Sequence, residues 1–121
     1  MKNWLIIGSV LIGLSVILGA FASHTLKDRL SLQDLNIFET GVRYQIYHSI
    51  GLILLGLLGF FFPGTVINTP AKLFITGIIL FSGSLYLLVL TNLRWFGVIT
   101  PIGGLCFIFG WFLLALKIFK V

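Results

Sequence analysis

Polar chemistry is scarce in this chain. Its 121 residues hold only three acids, one cysteine, three prolines and one methionine, and charged residues make up 9%. So little charge excludes an ordinary soluble globule, in which about a quarter of residues are charged. The lone cysteine, Cys106, excludes an internal disulfide and reads as a small packing residue in the last apolar stretch. No Gly-rich phosphate loop, nucleophile elbow or metalloprotease helix is present, so no catalytic residues are assigned and no enzyme is expected. His24 and His48 lack cysteines or further acids around them, a poor ligand set for a metal or haem, and no cofactor is expected. The net charge of +5 comes from lysines and arginines spread among segment ends. They form no stripe able to track a phosphate backbone, which excludes nucleic acid as a partner. Membrane lipids are the expected partner, because such residues snorkel to headgroups and attract anionic lipid.

Hydrophobic residues account for 59% of the chain. Four apolar stretches, near 3–22, 42–62, 72–90 and 98–118, reach the roughly 20 residues that cross a hydrocarbon core. None shows the alternation of a transmembrane strand. The expected fold is an all-α membrane protein. One integral membrane domain, 1–121, holds four transmembrane helices in a compact bundle. Lys2 with Ala20-Phe21-Ala22 resembles a signal peptide, but the apolar run exceeds the usual h-region of about 7–15 residues and is read as a retained helix. Basic residues divide evenly between the two sides of a four-span bundle, so they do not set its orientation.

The longest connection, Ser23 to Gly41, mixes leucines with Lys27, Asp28, Arg29, Gln33 and Asp34. It suits a short interfacial helix between helices 1 and 2, with Ser31 as N-cap and Asp34 as a capping-box variant. Pro63-Gly64 to Thr69-Pro70 reads as a turn-rich loop. Arg94-Trp95 reads as an interfacial anchor, and Thr100-Pro101 as a helix start with threonine as cap. Small residues recur in every stretch; Gly19, Gly51, Gly83, Gly103 and Gly104 are expected at helix contacts, within the bundle or between subunits.

Charged and polar groups gather on the second stretch. Glu39, Arg43 and Tyr47 share a helix face, with Tyr44 and His48 beside it; His24 and Arg94 complete the candidate cluster. Glu39 and Arg43 are four apart, in the favoured order for an ion pair. Lipid cannot satisfy these groups, so the stripe is expected to face the bundle, a cavity or another subunit. If Arg43 is so paired, Arg43→Ala destabilises the bundle. Three roles fit: paired groups that hold helices together, a route for protons or a small polar solute using His48, or a histidine ligand pair.

The run Phe38-Glu39-Thr40-Gly41-Val42-Arg43-Tyr44-Gln45-Ile46-Tyr47-His48 resembles the signature of the small membrane proteins grouped as domain of unknown function 423. Also similar are Gly19-Ala20-Phe21 with His24, Phe81 to Tyr86, and Ile99 to Gly104 with Gly110-Trp111. Ala22-Ser23 departs from the more usual Gly-Ala. The resemblance implies a four-helix integral membrane protein of bacterial type. It marks His24, Glu39, Arg43, Tyr44, Tyr47, His48, Ser82, Tyr86, Thr100 and Pro101, and it supplies no activity. The expected protein is non-enzymatic and lies in the bacterial cytoplasmic membrane. It supports membrane integrity or serves as a small subunit of a membrane assembly, forms a homo-oligomer and contacts other membrane proteins. Transport through the polar stripe is the alternative.

Overall fold

The structure is a computed structural model that describes residues 2–121. The described residues are helical almost throughout. The elements are α1 (Lys2–His24), a 3-10 turn (Leu26–Asp28), α2 (Leu32–Leu58), α3 (Gly64–Gly77), a π-helical turn (Ile78–Ser82), α4 (Gly83–Thr91), a second 3-10 turn (Arg94–Val98) and α5 (Thr100–Phe119). The π turn joins α3 to α4, so Gly64–Thr91 runs as one helix. Three helical stretches are long and apolar enough to cross a membrane: Lys2–Asp28, Gly64–Thr91 and Arg94–Phe119. The 27 residues of α2 are long enough, but its polar first half dilutes its apolar character.

Helix boundaries depart from the hydropathy pattern for local reasons. The second helix begins at Leu32, not near Val42, because Ser31 is extended and accepts the Asp34 N–H at 3.1 Å. No proline or glycine interrupts the chain from there to Gly41, so the helix propagates through polar sequence. Ser31 therefore caps the main helix, and only the turn Leu26–Asp28 precedes it where an interfacial helix was expected. The third helix begins at Gly64 and carries Pro70 inside it, so the expected loop to Pro70 is helical. In α5, Ile99 is the N-cap; Thr100 lies inside, with Pro101 in the first turn. Asn92 ends α4 in the left-handed region, at φ 57°.

Antiparallel α1 and α2 pack along their lengths. A Cβ on Gly8 would lie 2.8 Å from the Ser49 carbonyl oxygen, and one on Gly56 would lie 3.1 Å from the Leu5 nitrogen. Backbone meets backbone there, as small residues allow in lipid. At the crossing of α5 with the π turn, a Cβ on Gly103 would stand 2.3 Å from the Phe81 nitrogen. The π turn widens the helix and brings its backbone against α5, and only glycine leaves room. Gly51 faces the Phe74 ring at 3.0 Å. Gly19 and Gly104 make ordinary contacts, and Gly83 has almost open space, so these three are not tight crossings.

Two apolar clusters fill the bundle. One, built on Leu52, Leu55, Ile67, Phe74 and Phe107, lies toward the chain termini. The other, built on Ala22, Leu26, Phe38, Val42, Leu88 and Val89, lies toward the α1–α2 connection. In α2 the residues between them are Gln45, His48 and Ser49; in the π turn and α4 they are Ser82, Ser84 and Tyr86. The core is therefore interrupted by a polar layer.

Candidate functional site

Three helices meet in that layer through side chains that end on one another. From α4, the Tyr86 hydroxyl donates to Gln45 Oε1 at 2.6 Å. The same amide donates from Nε2 to the Leu11 carbonyl of α1 at 3.0 Å, which Ser15 Oγ also reaches at 2.8 Å. Ser49 Oγ returns to the Gln45 carbonyl, and Ser82 Oγ donates to the Gly41 carbonyl at 2.6 Å. Ser84 and Thr100 pair their hydroxyls between α4 and α5. Among the described residues no buried side-chain nitrogen or oxygen lacks a partner. Water cannot supply partners in lipid, so this completeness is what lets polar side chains lie at that depth.

His48 is the second centre. The Trp111 indole N–H can only donate, and it meets His48 Nε2 at 2.9 Å. Nε2 is therefore an acceptor, the ring proton sits on Nδ1, and Nδ1 donates to the Tyr44 carbonyl at 2.9 Å. Both nitrogens of a neutral imidazole are thus engaged. The ring stacks on Phe107 with centroids 3.6 Å apart and planes 9° apart, and meets Phe74 edge-on. It is 4% exposed. This arrangement ties α2 to α5 and leaves no free lone pair for a ligand. His24 is exposed at the far end of α1, so the two histidines are not brought together. Among the described residues no three His, Cys, Asp or Glu side chains converge as a metal-binding group.

The expected stripe divides in two. Of its members His48 points inward, Arg43 and Tyr47 point out, Glu39 is partly covered, and Tyr44 lies between, its ring against Phe81. Gln45 and Ser49, outside the expected stripe, are buried beside His48. The Glu39–Arg43 ion pair does not form: Arg43 Nη2 donates to Thr40 Oγ1 at 3.0 Å, within its own helix. Among the described residues the one ion pair joins Arg94 to Asp34, with two parallel hydrogen bonds of 2.9 Å. It links the start of α2 to the chain after α4 and holds the Asp34 carboxyl below its ordinary value, chiefly through those hydrogen bonds. Arg94 is thus an end clasp, away from the His48 centre.

Residue types alone hide part of this site. Gln45 is uncharged, and Ser15 and Ser49 look like packing residues. Trp111 and Phe107 lie on a helix that carries no charged residue until Lys117. The signals available are the four-residue spacing of Gln45 and Ser49 and the small residues Gly41 and Gly110 beside the large rings. Elsewhere, a groove of about 650 Å³ opens between α1 and the helix Gly64–Thr91. Leu14, Ile17, Ile79 and Leu87 line it together with Gln45 and Tyr86, and its surface is almost wholly apolar.

Residues 18–104 match the family model described as Protein of unknown function (DUF423). Among curated proteins, the chain is 43% identical to a UPF0382 membrane protein of Staphylococcus haemolyticus, over 99% of this chain and 98% of the relative. It is 41% identical to one of Staphylococcus saprophyticus over the full length of both. It is 38% identical to the UPF0382 membrane protein YwdK of Bacillus subtilis, over 99% and 98%. No solved structure matches the chain significantly. With its apolar helices and these relatives, this is a membrane protein, and the chain belongs to the DUF423 family.

Proposed function

We propose that the protein is a non-enzymatic component of the bacterial cytoplasmic membrane. In this reading it is a four-span bundle that supports membrane integrity or serves as a small subunit of a membrane assembly. The bacterial relatives favour that location. The close antiparallel packing of α2 along α1 supports a fourth span, since a helix paired along a spanning neighbour crosses the same thickness. Its inward polar groups are all partnered, which removes one objection to its crossing.

The observation that carries the reading is the doubly bonded, stacked imidazole of His48. A proton relay needs a group that can gain a proton from one side and release it to another. Here gaining a proton would break the Trp111 bond inside a ring of aromatics. The groove near Gln45 offers a polar solute almost no polar surface. A transport role through the stripe therefore has less support.

The test is proton flux in vesicles containing the purified protein and a trapped pH dye, under an imposed gradient. The expected leak equals that of protein-free vesicles. Flux that His48→Phe abolishes would overturn the proposal. Cells lacking the protein are expected to leak more dye under envelope stress, and restored expression is expected to reverse this.

A further inference from the structure

The outer face of α2 differs from those of α1 and α5 in carrying a charge away from its ends, Arg43. Asn36, Thr40, Arg43, Tyr47, Ile50, Leu54 and Leu57 follow one another by alternating steps of four and three residues. The spacing, which the exposed faces of α1 and α5 share, fits the seam of a left-handed coiled coil, whose repeat averages 3.5 residues per turn. Thr40 is partly covered, and the other six positions are uncovered by the rest of the chain. The seam changes character along its length: Asn36, Thr40 and Arg43 are polar, whereas Ile50, Leu54 and Leu57 are aliphatic. If α2 crosses the membrane, a charge on its outer face calls for a partner.

We infer that α2 pairs in parallel with α2 of a second copy of this chain, each Arg43 meeting the other copy's Glu39. Charge complementarity selects this occupant. Glu39 flanks the seam one turn before Arg43, and within one chain the two do not pair. Helical side chains lean toward the N-terminus, and the bond from Arg43 to Thr40 shows its guanidinium already at the level of Glu39. A two-fold axis along the membrane normal sets the two α2 helices parallel. It brings two acids and two bases to one level, where their charges sum to zero. Polar residues at a few seam positions fix the register, and the aliphatic half supplies packing.

The inference rests on α2 being the fourth span, and the experiment separates the two. In a Cys106→Ser background, Gln33→Cys and Phe61→Cys are labelled with a membrane-impermeant maleimide; labelling from opposite sides is expected. Labelling from one side would overturn the span and the pairing together. In the same background, Tyr47→Cys, Ile50→Cys and Leu54→Cys are oxidised in native membranes. Disulfide dimers are expected at all three, with none at Val16→Cys on the outer face of α1. Equal cross-linking at Val16, or none on α2, would overturn the pairing alone. With Leu54→Cys as reporter, Glu39→Arg or Arg43→Glu is expected to lower cross-linking about tenfold, because like charges then meet. The two changes together restore it. Loss without restoration, or Arg43-dependent retention of an anionic lipid by a monomer, would point to a lipid occupant and overturn the inference.

Discussion

The two faces of α2 both carry polar side chains and treat them in opposite ways. On the inner face Gln45, His48 and Ser49 are each tied to a neighbouring helix, a neighbouring turn or both. On the outer face Arg43 bonds only within its own turn, and Glu39 has no ion pair. The difference teaches that polarity in an apolar helix has two distinct meanings. A saturated group is cement, since removing one partner strands the other in low dielectric. A group that lipid cannot satisfy and the chain does not satisfy marks where something else belongs.

That contrast can be broken by mutation. The largest effect is expected from Gln45→Leu, which strands the Tyr86 hydroxyl and leaves one fewer donor on the Leu11 carbonyl. A loss of about 1–3 kcal/mol is expected, the cost of one stranded buried group. Denaturant unfolding in detergent measures it, and adding Tyr86→Phe recovers part of the loss. A neutral Gln45→Leu would mean that the inner network does not hold the helices together.

His48→Phe comes next. Phenylalanine keeps the stack on Phe107 and removes the acceptor of the Trp111 N–H. Because Trp111 is partly exposed, a loss of about 1–2 kcal/mol is expected. Trp111→Phe added to it is expected to cost little more.

A smaller effect, dependent on pH, belongs to Asp34 at the end of α2. Its folded-state pKa lies below the unfolded one, owing first to the Arg94 hydrogen bonds. Its contribution is therefore fully present above the ordinary carboxylate value and is lost as pH falls through the lower folded value. The melting temperature of Asp34→Asn is expected to lie slightly below that of the wild type at neutral pH. The two are expected to converge in acid, and a constant difference would contradict the assignment.

The smallest effect is expected from Arg43→Ala on the detergent-solubilised monomer, within about 0.5 kcal/mol. Sequence reasoning anticipates a larger cost, from a broken pair with Glu39. The outward guanidinium, bonded only to Thr40, removes the basis for it. A large loss in the monomer would restore the intramolecular pair and erase the contrast between the faces.

Much of the fold is legible without coordinates. Long apolar runs placed three of the helices, and Ser31 and Pro101 bear the chemistry of helix starts. The misreadings share one cause. Hydropathy reports where lipid is tolerated, and helix continuity depends on caps and breakers, so Leu32–Gly41 and Gly64–Pro70 are helical despite their polarity or prolines. The site was half legible. His48 stood out, and Gln45, an uncharged residue with a buried amide, did not.

By itself the sequence determined that this chain is helical and belongs in a membrane. Both follow from local quantities: side-chain transfer into lipid, and backbone groups that helices satisfy internally. It also set Gln45, His48 and Ser49 apart from Arg43 and Tyr47 around one helix axis. Which of those faces would be cement, only the tertiary structure decided. That depends on which helices approach α2: α1 does so through backbone contacts at Gly8 and Gly56, while Gly103 sets α5 against the π turn. No residue's own chemistry carries that information, because contact between distant segments is a property of the packed bundle.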